Sequence, residues 1–246
     1  VYNASHLLGF FSVFNSDALK DINLMKGGIP AEYGGRLSSV MDIKMKEGNR
    51  KKFSASGGLG LISSRLLIEA PIVKDKGSFF ISGRRTYADT FLKLSKDSAR
   101  RESTLYFYDI NAKANYSIGE KDRIFLSGYF GQDKFGFGES FGFEWGNTTG
   151  TLRWNHIYSN KLFSNTSVIY SNYDYKITIG GAGFDIASVI KDWTFKQDYQ
   201  WFANDKHNVK FGFNVLTHKI SPGGINSLEP DGIIADLNVQ EKRSIE

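Results

Sequence analysis

The most informative part of this chain is Lys26-Gly27-Gly28-Ile29-Pro30-Ala31-Glu32-Tyr33-Gly34-Gly35-Arg36-Leu37-Ser38-Ser39-Val40-Met41-Asp42-Ile43. Its two glycine pairs can take a positive φ, so each predicts a tight turn. Residues 22–28 read as a strand that ends at the first pair, and residues 38–46 as a closing strand after the second. Just upstream, residues 15–22 offer a helix cap and a short helical turn. The first 46 residues therefore predict a small unit of turns and short strands.

From Phe53 onward the texture changes to a regular succession of strands and turns. Short turns rich in Gly, Asn, Asp and Lys fall at 73–77, 118–122, 159–161 and 203–207. Longer connections are predicted near 92–103, 133–144, 178–187 and 219–238. Short turns at one end and long loops at the other are typical of an outer-membrane β-barrel, whose short turns face the periplasm.

The strands alternate with the two-residue period of a barrel wall. In residues 108–116, apolar positions that begin and end with Tyr alternate with Asp109, Asn111, Lys113 and Asn115. Residues 189–201 and 208–215 alternate in the same way. This pattern predicts one face toward lipid, with tyrosines in an aromatic girdle, and one toward a wet lumen. A soluble β-sandwich would also alternate, and the alternation alone does not separate the two folds.

Composition agrees with a membrane barrel. The 246 residues are 15% aromatic and hold 26 Gly but only 4 Pro, at a mean hydropathy of −0.32. No apolar run of about 18 residues predicts a transmembrane helix. The sequence has no cysteine, which excludes disulfides and thiolate metal sites. The net charge of +5 is dispersed, which disfavours nucleic-acid binding.

Strand parity then sets the number of strands. If the chain enters the barrel from the periplasmic side, its first strand runs outward. The short turn at 73–77 is then periplasmic only if residues 51–72 hold two strands, with the hairpin near Gly57, Gly58 and Gly60. The predicted strands are 51–58, 62–72, 78–88, 104–117, 123–132, 146–158, 162–176, 188–202 and 208–218. Residues 238–246 read as the opening of a tenth. We therefore expect only part of a barrel here, and, since Val1 opens without a leader, further residues upstream.

These features together resemble the TonB-dependent outer-membrane receptors. The order strand, Lys-Gly, Tyr-Gly, closing strand in residues 22–46 is similar to the end of their plug domain, and residues 81–87 and 108–113 resemble their first barrel strands. Residues 31–39 resemble the subgroup that carries an N-terminal carboxypeptidase-like accessory domain. The resemblance implies an all-β fold: a fragment of a 22-stranded transmembrane β-barrel (47–246) preceded by the C-terminal part of a plug domain (1–46).

It also implies a function. Such a receptor lies in the outer membrane of a Gram-negative bacterium and imports a ligand with energy delivered through TonB. TonB would bind an N-terminal box that is absent from this chain. The barrel wall would contact outer-membrane lipid. In glycan-importing relatives a surface lipoprotein is a further partner, and the sequence identifies neither that partner nor the ligand. No cofactor, metal or enzymatic activity is implied.

Candidate site residues follow from the same reading. The predicted plug motif consists of Lys26, Gly27, Gly28, Tyr33, Gly34, Gly35 and Arg36. Candidate plug–barrel or ligand contacts are Arg65, Arg84, Arg85, Phe141 and Trp145. The arginines are expected mainly to hold the plug in the lumen. The aromatic residues around 130–146, placed in a predicted long loop, are a candidate ligand surface, with girdle or loop packing as the alternative.

Three other functions are weighed against import. A plugless porin or adhesin would have no use for residues 22–46. An outer-membrane hydrolase could use Ser140 in Gly138-Glu139-Ser140-Phe141-Gly142, but that nucleophile motif needs a following helix, which the sequence does not predict. A soluble β-sandwich remains the third. The four histidines lie in separate elements without metal-ligand spacing.

Overall fold

A single antiparallel sheet of ten strands dominates the fold. The computed structural model describes residues 2–33, 39–228 and 240–246. The strands of this sheet are β5 (Ser54–Leu59), β6 (Ser63–Val73), β7 (Gly77–Thr86), β8 (Thr104–Ile118), β9 (Asp122–Phe137), β10 (Phe141–Ser159), β11 (Leu162–Ile179), β12 (Phe184–Asn204), β13 (His207–Ser227) and β14 (Lys242–Ile245). Each strand pairs with its neighbours in sequence, from β5 at one side to β14 at the other.

The N-terminal part is built from short elements. Its strands are β1 (Ser5–His6), β2 (Phe11–Ser12), β3 (Leu19–Met25) and β4 (Val40–Met45), and its 3₁₀ turns are Leu7–Gly9, Ser16–Ala18 and Ala31–Tyr33. Strand β1 pairs with β2, and β3 pairs with β4, both antiparallel. The Asn15 side chain accepts from the Asp17 backbone N–H and caps the second turn. The short helical turn and the two strands of the sequence prediction are confirmed.

Helical structure is sparse. Helices α1 (Ala88–Leu92) and α2 (Ser98–Arg101) lie in the connection between β7 and β8, and a 3₁₀ turn (Gly180–Ala182) joins β11 to β12. Within the described ranges, no helix has both the length and the apolarity to cross a membrane.

The two faces of the sheet are inverted relative to a soluble protein. Among the described residues, buried polar side chains outnumber buried apolar ones. On β8, Asp109, Asn111 and Asn115 are buried while Ile110 is 48% exposed. On β12 and β13, Trp193 and Phe213 are each 56% exposed. A soluble sheet would bury its apolar face, whereas a barrel wall turns it toward lipid. The all-β prediction and the alternation over 108–116 are confirmed.

Two predicted long loops are wrong. Strand β9 continues to Phe137 and β10 begins at Phe141, so 133–144 is an extended hairpin with a tight turn. Likewise β11 continues to Ile179 and β12 begins at Phe184, which leaves only a few residues of the predicted loop 178–187. In both stretches aromatic and β-branched residues keep the two-residue period, which favours strand. Each turn contains one glycine with a positive φ, Gly138 in the first and Gly183 in the second.

The other connections agree better with the sequence. The turns at 74–76, 119–121, 160–161 and 205–206 are short, as predicted, and the connection at 87–103 is long. Strand β13 runs on to Ser227, into the predicted loop 219–238, and most of the rest of that loop lies outside the described residues. The tenth strand is confirmed: β14 pairs with residues 217–220 of β13.

Candidate functional site

The N-terminal segment, defined here as residues 2–33 and 39–47, lies against the polar face of the sheet. Side chains of the sheet contact it from β6 to β10 and from β12 and β13. The contacts include Tyr2 to Asp192, the Asn3 carbonyl to Asn147, His6 to Asp133, the Ser12 carbonyl to Arg84, Asp17 to Arg65, Glu32 to Lys210, the Met45 carbonyl to Lys113 and Glu47 to Arg123. The segment therefore spans most of the width of the sheet.

His6 is the most deeply held residue of the segment. It is fully buried, with Nδ1 2.6 Å from Asp133 Oδ2 and Nε2 3.5 Å from Asp109 Oδ2. The Leu7 backbone N–H donates to Asp133 Oδ1 at 2.8 Å. Burial alone would lower the pKa of His6, but hydrogen bonds and charge from Asp109 and Asp133 outweigh it and raise that pKa above its ordinary value. The site therefore favours the imidazolium form.

Arg84 completes the charge balance. Its Nε donates to Asp109 Oδ2 at 2.7 Å, its Nη2 lies 2.6 Å from the same oxygen, and Nη2 donates to the Ser12 carbonyl at 2.7 Å. The Phe107 ring stacks on His6 at 4.2 Å between centroids and lies 5.0 Å from the Arg84 guanidinium carbon. When His6 is protonated, two carboxylates meet two cationic groups, and no net charge is buried.

A second anchor fixes the end of the segment. Arg123 Nη2 lies 2.5 Å from Glu47 Oε2, and the Glu47 carbonyl accepts from Ser78 Oγ at 2.6 Å and Asn115 Nδ2 at 2.8 Å. The next residue, Gly48, has φ +82°, and a Cβ there would lie 2.4 Å from the Phe79 carbonyl oxygen. Only glycine fits this position, where the chain passes against β7.

The arginines chosen from sequence lie on both faces of the sheet. Arg65 pairs with Asp17 at 2.9 Å, and Arg84 contacts the segment as described. Arg85 is the register partner of Tyr108 and points to the opposite, outward face, with its guanidinium carbon 5.7 Å from the Tyr106 ring. Arg85 therefore does not reach the N-terminal segment.

The aromatic residues chosen from sequence lie on strands, not in a loop. Trp145 pairs in register with Asp133, so its side chain shares the face on which the segment lies. The inward side chains toward the turns at 138–140 and 180–183 form an aromatic wall: Phe135, Phe141, Phe143, Trp145 and Tyr175. The Phe143 and Trp145 rings are 4.6 Å apart and the Phe135 and Phe141 rings 6.4 Å apart. Among the described residues, the buried Trp145 Nε1 has no acceptor.

The plug motif chosen from sequence is described in part. Lys26, Gly27 and Gly28 form the bend after β3, and Gly28 has φ +61° as its glycine identity predicts. Tyr33 ends the 3₁₀ turn Ala31–Tyr33. Gly34, Gly35 and Arg36 lie outside the described residues.

Sequence reasoning missed the buried anchors. The sequence indicates no metal-ligand spacing for His6 and shows Asp109 only as a polar position in an alternating strand. His6 and Asp133 are 127 residues apart in the chain, and no local pattern joins them. The useful signal is the run of Asp, Asn and Lys at alternate positions of β8, on the polar face of the sheet. When another part of the chain covers that face, these side chains need polar partners.

Comparison with known proteins gives a likeness of fold. No family model and no curated protein matches the sequence. Among solved structures, the copper transporter OprC is similar with a TM-score of 0.64 and 12% identity, over 88% of this chain and 35% of that one. The siderophore receptor PiuA from Acinetobacter baumannii is similar with a TM-score of 0.60 and 11% identity, over 93% of this chain and 42% of that one. The chain thus has the fold of part of such β-barrel proteins and spans less than half of their length.

Proposed function

We propose that this chain is part of a TonB-dependent receptor that actively imports a ligand across the outer membrane of a Gram-negative bacterium. One observation carries the proposal: a separate N-terminal segment covers the polar face of the sheet through contacts of His6 with Asp133 and of the Ser12 carbonyl with Arg84. In this proposal residues 1–46 are the end of the plug and residues 47–246 the first part of the barrel. The fold similarity to a transporter and a receptor supports it.

The outward face supports the membrane setting. Its exposed side chains include Ile110, Leu152, Trp193, Phe195 and Phe213, and the paired strands leave the backbone hydrogen bonds internal, as a lipid environment requires. A polar face filled by a protein segment and an apolar face free for lipid are the arrangement of a closed barrel. TonB, through a box elsewhere in the protein, would supply the force that displaces the plug.

The aromatic wall is the proposed ligand surface. It lies on the inward face next to the seated segment, at the end of the sheet away from the short turns, which is the extracellular end in this orientation. The accessible rings of Phe141 and Phe143 can stack on a flat or apolar ligand, while Trp145, only 2% exposed, packs against Phe143 and supports it. Phe141, 36% exposed, lies at the rim of this surface. The subgroup with an accessory domain and a lipoprotein partner stays part of the proposal.

The structure disfavours the hydrolase. Ser140 lies in the turn between β9 and β10, and strand β10 begins at the next residue. The nucleophile elbow of that motif needs a helix at this point. A porin is disfavoured by the segment itself, which would obstruct an open pore.

The test uses the full-length protein purified from outer membranes. In planar lipid bilayers we expect no steady conductance from the intact protein and a large conductance after deletion of residues 1–46. The C-terminal domain of TonB, immobilised, should retain the intact protein. An intact protein that conducts as freely as the deletion variant would establish a porin, and failure to bind TonB would refute active import.

A further inference from the structure

A groove on the outward face of the sheet is the feature that the proposed function leaves unexplained. It is an open groove of about 1280 Å³, lined by residues of β5 to β8 and of the connection 87–103. The absence of side chains at Gly57 and Gly83 opens it, and its floor is formed by Leu66, Ile68, Ile81 and Ile110.

The register places this floor on the face away from the N-terminal segment. Leu66 pairs with Gly83, which pairs with Ile110, and Ile68 pairs with Ile81. Paired residues of antiparallel strands share a face. Leu66 is 51% exposed and Ile81 48% exposed, so the floor is open to whatever surrounds the barrel.

Charged groups lie at one end of the groove, next to the connection 87–103. Arg85 and Lys93 line it there. In the part of the chain that the structure describes, neither side chain has a hydrogen bond or an ion pair, and Arg85 contacts only the Tyr106 ring. Asp89 lines the same end, and its buried Oδ1 has no donor among the described residues. The groove thus combines an apolar floor with two unpaired cations and one unpaired acceptor.

The same connection also presents apolar side chains to its surroundings. Phe91 is 51% exposed and Leu94 79% exposed, on either side of Lys93. Apolar residues interleaved with cations are typical of a protein surface at a membrane interface. With the short turns facing the periplasm, this interface is that of the outer leaflet.

We propose that the groove binds a phosphorylated glycolipid of the outer leaflet. An acyl chain lies along the isoleucine and leucine floor, a phosphate lies between Arg85 and Lys93, and a sugar hydroxyl or amide N–H donates to Asp89. Guanidinium and ammonium groups are the usual phosphate partners in proteins. The inference rests on the proposed function for its orientation, and it adds a lipid site outside the lumen.

Binding of bis-phosphorylated, hexa-acylated lipid A to the full-length receptor in detergent tests the proposal, with native mass spectrometry as the readout. We expect R85Q/K93Q to weaken binding about thirtyfold, since each basic contact at a lipid headgroup contributes a factor of about five. The matched control K96Q/R100Q removes the same charge from the same connection outside the groove and should bind as the wild type does.

A second variant tests the apolar part. Gly83→Leu should fill the groove, because a Cβ at Gly83 has only the Asp109 carbonyl oxygen nearby, at 3.8 Å. We expect it to abolish binding while both cations remain. The proposal would be overturned if K96Q/R100Q weakened lipid A binding as much as R85Q/K93Q does, or if Gly83→Leu bound lipid A as tightly as the wild type. It would also be overturned if the receptor bound phosphatidylglycerol as tightly as lipid A, or if millimolar inorganic phosphate displaced lipid A.

The two proposals fail separately. A receptor that binds TonB and stays closed, yet binds lipid A no better than its R85Q/K93Q variant does, refutes the lipid site alone. A protein that binds lipid A but conducts as an open pore refutes import alone.

Discussion

The charge of Asp133 should decide how tightly the start of the N-terminal segment is held. Asp133→Asn keeps the shape of the side chain and an oxygen for the Leu7 N–H, but removes the negative charge 2.6 Å from His6 Nδ1. His6 then keeps the Tyr129 hydroxyl, 3.2 Å from Nε2, and one carboxylate, that of Asp109 at 3.5 Å, which Arg84 already neutralises. The substitution therefore isolates one charge in a contact that is otherwise preserved.

The magnitude follows from the burial of this pair. Asp133 is 1% exposed and His6 fully buried, so solvent screens the pair little. A hydrogen bond to a charged group is worth about 1.5–3 kcal/mol. Loss of a proton by His6 recovers part of the cost, so we expect the segment to be held about 2 kcal/mol less tightly at pH 6. That loss corresponds to about thirtyfold faster exchange of amides that open locally.

Hydrogen exchange of the full-length protein, followed by mass spectrometry, measures the effect on residues 2–12. Asp198→Asn is the matched control, because Asp198 pairs with Lys196 at 3.3 Å on the same strand face but is 38% exposed at its side chain. Its exchange should match that of the wild type. Unchanged protection of residues 2–12 in Asp133→Asn would refute the anchor, and loss of protection throughout β9 would show a defect of the sheet instead.

Three further results are expected. Because the folded-state pKa of His6 is raised, its contribution to holding the segment is complete below about pH 6.5 and is lost as the pH rises through that raised pKa. Exchange of residues 2–12 should therefore accelerate above about pH 6.5 by more than its intrinsic increase with pH. An exchange rate that stays constant after correction for the intrinsic increase would contradict this. Gly48→Ala should lower the free energy of unfolding by about 3 kcal/mol in denaturant titrations, because its Cβ would clash with the Phe79 carbonyl. The control Gly119→Ala, at a residue with φ +75° and open space around it, should lower that free energy by only about 1 kcal/mol. Equal losses in the two variants would refute the clash. Arg65→Gln should change the protection of the segment by less than about 0.5 kcal/mol in the same exchange assay, because the ion pair of Arg65 with Asp17 is partly exposed. A larger loss would show that this pair contributes as much as a buried one.

Sequence reasoning succeeds here where one strand carries its own pattern. The alternation of residues 108–116 separates Asp109 and Asn111 from Ile110 without any knowledge of the neighbours, and the structure places them on opposite faces. The short turns are equally local, because Gly, Asn and Asp adopt their dihedral angles. Strand order follows as well, since every hairpin joins adjacent strands.

The failures have a physical cause in each case. In 133–144 the glycines suggested a loop, but an antiparallel hairpin needs only Gly138 at φ +53° for its turn, and the alternating phenylalanines continue both strands. The anchors could not be found because their partners are distant in sequence: His6 meets Asp133, and Glu47 meets Arg123. Contacts of this kind depend on how a segment lies across a sheet, which no local pattern encodes.

The contacts between the N-terminal segment and the sheet differ in burial along the segment. The pair of His6 with Asp133 is buried, whereas the pairs of Asp17 with Arg65 and of Glu32 with Lys210 are partly exposed. An exposed pair exchanges its partner for water at little cost, while opening a buried pair leaves an uncompensated charge. A force that displaces the segment would therefore meet little resistance around residues 17–32 and most around residues 6–12. Displacement that begins between the contacts of His6 and Glu47 would leave both ends of the segment held, so in the proposed receptor a path could open while the segment stays attached to the sheet.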